Sequence, residues 1–210
     1  MQCKVLPVGQ YEANCVILWS NPSKVWVIDP GSESDRIRTF LKSTGLRVGV
    51  VILTHGHFDH ITAVNRVLAE NPYTKGYMHS ADDEFAFSPR NQMPPYPTTG
   101  RPVKLDVTKN NGDLISCGKL TARIIHTPGH TPGSWCLYFE QNKLLISGDT
   151  LFKGSIGRTD FPGGNMEEME KSLQLLQQLP DETLVIPGHG PYTTIGHEKE
   201  SNSYLRPPQE

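Results

Sequence analysis

The sequence predicts an α/β protein in which two β-sheets pack against each other and helices cover their outer faces. Short β-branched and aromatic runs are separated by turn formers, helical apolar spacing follows each strand-rich stretch, and this rhythm occurs twice along the chain. A chain of 210 residues with 36% hydrophobic content can bury one sizeable core, so residues 1–210 are expected to form a single domain.

The first half opens with three runs that read as antiparallel strands, CKVLPVG, NCVILWS and VWVIDP, the last two separated by the turn cluster Asn21-Pro22-Ser23. Ser32 or Ser34 is then expected to cap a helix whose apolar positions Ile37, Phe40 and Leu41 fall at helical spacing and which ends near Gly45. VGVVILT reads as a buried strand. Behind it, ITAVNRVLAENP carries Ile61, Val64, Val67 and Leu68 on one helical face and stops at Asn71-Pro72. GYMHS suggests a short strand and SADDEFAF a short capped helix. Residues 88–102 hold five prolines and no periodicity, as expected of an ordered surface loop or a flap. In the second half LTARIIH, WCLYFE and KLLISGD read as strands, and MEEMEKSLQLLQQLP as a helix with Leu173, Leu176 and Leu179 as its apolar stripe. TLVIPGHG is the last expected strand.

Composition narrows the function. A net charge of −2 with both signs scattered leaves no basic stripe for nucleic acid and no polybasic membrane anchor. No apolar run approaches the ~20 residues of a membrane span, and MQCKVLPVGQ lacks the features of a signal peptide. A cytoplasmic protein is expected. Cys3, Cys15, Cys117 and Cys136 show no C-x-x-C spacing, which argues against both a thiolate zinc site and a disulfide framework.

Chemistry concentrates in THGHFDH, residues 54–60, directly behind the strand VGVVIL. His55, His57, Asp59 and His60 supply imidazole and carboxylate donors within one strand-to-helix loop, the donor set that zinc, iron and manganese accept. Three further candidates follow apolar strands with the same glycine punctuation: His130 in HTPGHTPGS, Asp149 in LLISGDTLF and His189 in LVIPGHG. Such glycines let the backbone turn sharply and project a side chain at a sheet edge. Five of the eight histidines occupy these loops, and packing alone would have to explain the coincidence five times. One or two divalent metal ions are therefore expected. His79, His126 and His197 read as structural, with His126 a candidate to support a ligand. Asp29 and Asp106 read mainly as turn or capping residues, with orientation of a ligand histidine as the alternative for Asp29.

THGHFDH, followed in order by His130, Asp149 and His189, resembles the H-x-H-x-D-H signature of the metallo-β-lactamase superfamily over almost the whole chain. The resemblance implies an αββα sandwich of two mixed sheets flanked by helices, with metals at one edge between the sheets. It also implies that His55, His57 and His130 hold a first metal, that Asp59, His60 and His189 hold a second, and that Asp149 bridges them. A carboxylate at the bridge, where the antibiotic-degrading B1 enzymes have cysteine, argues against a β-lactamase.

Within the superfamily, GDTLFKGSIGRTDFPGG looks most like the type II glyoxalases, hydroxyacylglutathione hydrolases that cleave S-D-lactoylglutathione. The short single-domain members are the best match, since the residues after GHGPYTTIGHEKE are too few for the helical C-terminal domain of the longer ones. The resemblance implies a small-molecule substrate, a glutathione thioester cleaved by a metal-activated hydroxide. Zinc is the expected metal, with iron or manganese as alternatives. Asp59 is expected both to ligate and to receive the nucleophile's proton, and Arg158 to contact a glutathione carboxylate. Two likenesses fail: Thr159-Asp160-Phe161 stands where an aromatic pair follows the basic residue, and Pro191 where a tyrosine follows the last histidine, with Tyr192 displaced by one. GRTDF also resembles persulfide dioxygenases, mononuclear iron enzymes of the same fold, which makes that activity the alternative, beside a lactonase. Oligomeric state leaves no mark in the sequence.

Overall fold

Two six-stranded sheets, stacked face to face, occupy the centre of the computed structural model, which describes residues 1–97 and 99–206. The first sheet runs β1 (Gln2–Val8), β2 (Ala13–Trp19), β3 (Val25–Ile28), β4 (Val48–Ile52), β5 (Lys75–Tyr77) and β6 (Leu105–Asp106), in that order. Its first three strands are antiparallel and the rest parallel to β3. Between these strands lie α1 (Ser34–Ser43), α2 (Phe58–Ile61), α3 (Val64–Glu70) and α4 (Ser80–Ala86).

The second half supplies β7 (Leu114–Cys117), β8 (Leu120–His126), β9 (Trp135–Phe139), β10 (Leu144–Gly148), the small hairpin β11 (Leu151–Phe152) and β12 (Ser155–Ile156), α5 (Met166–Gln177), β13 (Leu184–Pro187), β14 (Thr193–Thr194) and α6 (Ile195–Ser201). The second sheet is ordered β14-β13-β10-β9-β8-β7, antiparallel except for the β10/β13 pair.

Side-chain alternation along the strands builds the layers. Val16, Leu18, Trp26, Ile28, Val50 and Ile52 face inward from the first sheet to meet Ile124, Trp135, Leu137, Phe139 and Ile146 of the second. Trp26 and Phe139 meet edge to face at 5.0 Å across this layer. The opposite faces are covered in turn, Ile17, Val27 and Val51 beneath Ile37, Val64 and Leu68, and Cys136, Tyr138 and Leu145 beneath Leu173 and Leu176. The expected αββα architecture is the observed one. Each fully buried large side chain contributes about 1.5–3 kcal/mol, so three apolar layers hold the two sheets in fixed relation.

Within each sheet β3 and β4, and β8, β10 and β13, run parallel to one another, so their carboxyl ends deliver the loops after Ile28, Ile52, His126, Gly148 and Pro187 along sheet edges. Those loops hold the residues singled out by sequence.

Several expectations change in detail. Neither Ser32 nor Ser34 caps α1. Glu33 occupies that position in a left-handed conformation, φ 48°, and its carboxylate instead accepts from Gly9 N at 3.0 Å. The single helix expected after residue 61 starts earlier and is broken. Ala63 N donates to Pro30 O, Thr62 Oγ1 donates to Phe58 O at 2.6 Å, and Gly31 lies so close to the Asp59 carbonyl that no Cβ would fit. A neighbouring segment thus competes for the helical ladder. The short strands β6, β7, β11, β12 and β14, and α6, carry too little periodicity to be anticipated. The Pro-rich segment 88–102 contains a 3-10 turn at Pro89–Asn91, and Tyr96 is buried; Thr98 lies outside the described residues. Among the described residues no helix is long and apolar enough to cross a membrane.

Candidate metal centre

The Gly56 turn after β4 gives His55 and His57 separate directions, and His57 opens α2, on which Asp59 and His60 follow. His57 Nδ1 faces His130 Nε2 at 2.8 Å, and His60 Nε2 faces His189 Nε2 at 3.1 Å. Asp59 Oδ2 lies 3.3 Å from His189 Nε2 and 3.7 Å from His60 Nε2. Between the two groups stands Asp149, Oδ1 3.5 Å from His60 Nε2, Oδ2 3.5 Å from His130 Nε2 and 3.6 Å from His189 Nε2. His55, His57 and His130 form one cluster of convergent donors, and Asp59, His60 and His189 another. All seven residues expected from sequence come together.

The cluster fits divalent cations. A tetrahedral ion with donors at about 2.0–2.1 Å separates its ligand atoms by about 3.3 Å, close to the spacings seen. His55 Nε2 and Asp149 Oδ1 are buried and make no hydrogen bond, a cost of about 1–3 kcal/mol each unless something else meets them. Gly188 leaves the necessary room, since a Cβ there would collide with Asp149 Oδ1.

Four of the ligand histidines have an anchored ring nitrogen facing away from the centre. His60 Nδ1 contacts Asp29 Oδ2 at 3.0 Å, His130 Nδ1 the Arg158 carbonyl at 2.8 Å, and His189 Nδ1 the Tyr11 carbonyl at 2.8 Å. His55 Nδ1 meets Thr54 Oγ1 at 3.1 Å, whose own proton goes to Asp29 Oδ2 at 2.6 Å. Each such partner sets the tautomer that turns a lone pair inward. Asp29 is therefore more than a turn residue; it takes the alternative role anticipated for it, holding its carboxylate in place from a left-handed conformation, φ 51°. Asp106 does serve its turn, accepting from Thr108 N and Oγ1. His126 lies outside the cluster, donor to or acceptor from no ligand; it contacts the Pro132 carbonyl and stacks on His79 at 4.1 Å.

One support escaped sequence reasoning. Asp82 of α4 is buried and accepts from Gly56 N at 2.8 Å, Thr131 Oγ1 at 2.6 Å and Gly133 N at 2.7 Å, lashing the His55-Gly56-His57 turn to the His130 loop. Its position in a short acidic helix gives no such signal.

Electrostatics separate the ligands. Burial, with the neighbouring imidazoles, pushes His55 well below the ordinary histidine range and His57 down to about 4. Burial also opposes charge on His60, but Asp149, Asp59 and Asp29 outweigh it and raise that group to about 10. Burial disfavours an ionised Asp59, yet His60 and His189 hold its carboxyl well below the usual range. In the metal-free protein the second cluster therefore stores protons where a cation would sit.

Arg158 lies beside the cluster, but its fork is engaged. Nε and the terminal nitrogen bind the two Asp160 oxygens at 2.7 Å each, and the guanidinium stacks 3.6 Å over Phe161. The Phe161 ring also meets His57 edge-on at 5.8 Å, as does Phe85 from α4.

The comparison that decides the family is the match of residues 8–189 to the model described as the metallo-beta-lactamase superfamily. The chain belongs to the metallo-β-lactamase superfamily. Among its relatives, hydroxyacylglutathione hydrolase GloC of Haemophilus influenzae is 34% identical, with 98% of each chain covered. Two solved metallo-β-lactamase-fold structures are similar at high coverage. BLEG-1, named a B3 metallo-beta-lactamase, shares 34% identity at a TM-score of 0.90 over 97% of this chain and 99% of that one. TTHA1623 in a di-iron-bound form shares 32% at 0.79 over 96% and 100%. A protein named a B3 metallo-beta-lactamase and one named a hydroxyacylglutathione hydrolase thus share the same 34% identity with this chain. The superfamily and its His/Asp cluster make the protein a divalent-metal hydrolase acting on a small molecule.

Proposed function

We propose that the protein hydrolyses a glutathione thioester of the S-D-lactoylglutathione type. The observation that carries this reading is Asp149, which stands between the two donor clusters, Oδ1 near His60 and Oδ2 near both His130 and His189, where a carboxylate shared by two cations would stand. His55, His57 and His130 would hold one metal and Asp59, His60 and His189 the other, with zinc the first choice and iron or manganese the alternatives. When bound, the pair lowers the pKa of a water toward neutrality and polarises the substrate carbonyl.

The chain's own groups do the rest. Asp59, kept ionised by His60 and His189, accepts the proton of the attacking water at the oxygen not turned toward His189. Asp29, Thr54 and the carbonyls of Arg158 and Tyr11 keep the imidazoles oriented. Phe85 and Phe161 give an acyl or thiol chain an apolar wall beside His57. Arg158 anchors a substrate carboxylate by exchanging Asp160 for it. The relative named a hydroxyacylglutathione hydrolase supports the substrate class. A cytoplasmic location suits the four unpaired cysteines and belongs to the same reading.

The test compares zinc-loaded and iron-loaded protein on S-D-lactoylglutathione, a β-lactam and glutathione persulfide. Thioester cleavage above the other two is expected. O₂ consumption with the persulfide by the iron form, without thioester cleavage by either form, overturns the proposal in favour of a dioxygenase; cleavage of the β-lactam alone overturns it in favour of the activity for which BLEG-1 is named.

A further inference from the structure

We infer that Tyr96, in the Pro-rich segment between the two halves, is a positioning residue for the second metal, acting on His189 through the backbone of the β1–β2 turn. The inference rests on the assignment of His189 to that metal.

Of the ring ligands with anchored outer nitrogens, His189 is the most accessible, its side chain 27% exposed where those of His60 and His130 are 0% and 4%. Packing confines the other two; His189 depends more on its hydrogen bond to the Tyr11 carbonyl. That carbonyl belongs to a four-residue connection, Gly9 to Glu12, whose own turn bond is Glu12 N to Gly9 O at 3.2 Å. Both Gly9 and Glu12 have positive φ, 72° and 52°, so the turn is held in a conformation that a free chain adopts reluctantly at the glutamate.

Tyr96 is what meets this turn. Its hydroxyl accepts from Gln10 N at 2.7 Å and from Tyr11 N at 3.3 Å. A side chain at Gly9 would collide with the same hydroxyl, so the turn and the tyrosine are fitted to one another. The ring packs edge-on against Phe58 at 4.9 Å, and Phe58 directly precedes the ligand Asp59. Just beyond the turn, at the start of β2, Asn14 donates to the carbonyls of Pro187 and Gly190, gripping the His189 loop. The hydroxyl thus addresses His189, while the ring packs on Phe58, which stands between His57 and Asp59. Among the described residues Tyr96 makes no hydrogen bond or ring contact with His55, His57 or His130, whose brace is Asp82. The Asp82 carboxylate thus braces the first cluster, and the Tyr96 hydroxyl reaches the second through the Tyr11 turn.

The experiment is a Co²⁺ titration of chelator-stripped wild type and Tyr96→Phe, read by visible absorption, which reports coordination at each binding step. Phenylalanine keeps the ring packing and removes only the acceptor. Outer supports of metal ligands are typically worth 10–100-fold in affinity. We expect the second step to weaken by about tenfold with an altered spectrum, the first step unchanged, and the melting temperature of the metal-free variant equal to wild type. As a second measurement, ¹⁵N shifts of the His189 ring in the zinc-loaded protein should show a change confined to that histidine. Unchanged affinities and spectra at both steps, or equal weakening of both, would overturn the role of Tyr96 while leaving the two-metal reading intact. A wild type that binds only one Co²⁺ would overturn both.

Discussion

Asp29 Oδ2 and His60 Nδ1 lie 3.0 Å apart, with the two side chains 2% and 0% exposed. A carboxylate in this position fixes the imidazole tautomer and also raises its basicity as a donor. Asp29→Asn keeps the shape and removes the charge. We expect it to lower metal affinity by ~10–100-fold, measured by competition with a chromophoric chelator. Affinity equal to wild type would mean that packing alone orients His60.

Removal of single donors should rank the ligands. His57→Ala is expected to lose metal and activity while circular dichroism of the strands is kept, because His57 is a partly exposed rim group and no part of the three apolar layers. Asp149→Ala should lose more metal than Asp59→Ala, since its oxygens face both clusters. Elemental analysis of the purified variants decides; two tightly held ions in the Asp149 variant would show that the bridge is misassigned.

Proton linkage gives a signed pH dependence. His60 is raised to about 10 from 6.5, so the folded metal-free chain holds a proton there that the unfolded chain releases. That contribution to stability is complete below about pH 6.5 and disappears as pH rises through about 10. His57, lowered to about 4, acts on the other side: its contribution is present above 6.5 and fades as pH falls toward 4. The melting temperature of stripped protein should therefore fall in both directions from near pH 6.5. Metal binding shows the opposite slope on the alkaline side, because the cation must displace the His60 proton, and affinity should rise with pH up to about 10. Calorimetry in buffers of different ionisation enthalpy should detect at least one proton released on loading; no release would contradict the charged state of His60.

The Arg158–Asp160 fork separates two roles for one residue. If the guanidinium recognises a substrate carboxylate, Arg158→Ala should raise KM for S-D-lactoylglutathione about tenfold or more, from the ~1.5–3 kcal/mol of a charged hydrogen bond, with kcat little changed. Asp160→Ala should lower KM, because it frees the fork. The Arg158 carbonyl on His130 survives both changes. Loss of kcat in both variants would show that this segment supports the centre and does not read the substrate.

Strands were legible wherever β-branched runs met turn formers, as in β2, β3, β9 and β10, because strands covered on both faces leave continuous apolar runs in the sequence. His55, His57, His130, Asp149 and His189 were legible because each lies beside a glycine in a loop after a strand, at Gly56, Gly129, Gly148 and Gly188, and Asp59 and His60 by standing in the same short stretch. What was hidden depends on distant residues. The break between α2 and α3 comes from Pro30 and Gly31, and the capping of α4 by the His79 side chain, Nδ1 accepting from Ala81 N, resembles no common N-cap. Asp82 and Tyr96 look like helix surface and loop filler until the fold brings Gly56, Thr131 and Tyr11 to them. The hydrogen-bond acceptors of His130 and His189 are main-chain carbonyls, which no side-chain pattern can announce.

Both donor clusters draw on the two sheets, His55 and His57 with His130 in one, Asp59 and His60 with His189 in the other. A ribosome makes these in order. While only the first sheet has emerged, the nascent chain offers four donors in one short loop and none of the opposing three, and Asp149 and then His189 arrive last. Neither centre can be completed during synthesis of the first half, so a cation captured early would be held by a partial set and readily exchanged. Stable loading would be coupled to closure of the second sheet over the first, and occupancy of the Asp59, His60 and His189 set would report that translation and folding have both run past the β13 strand.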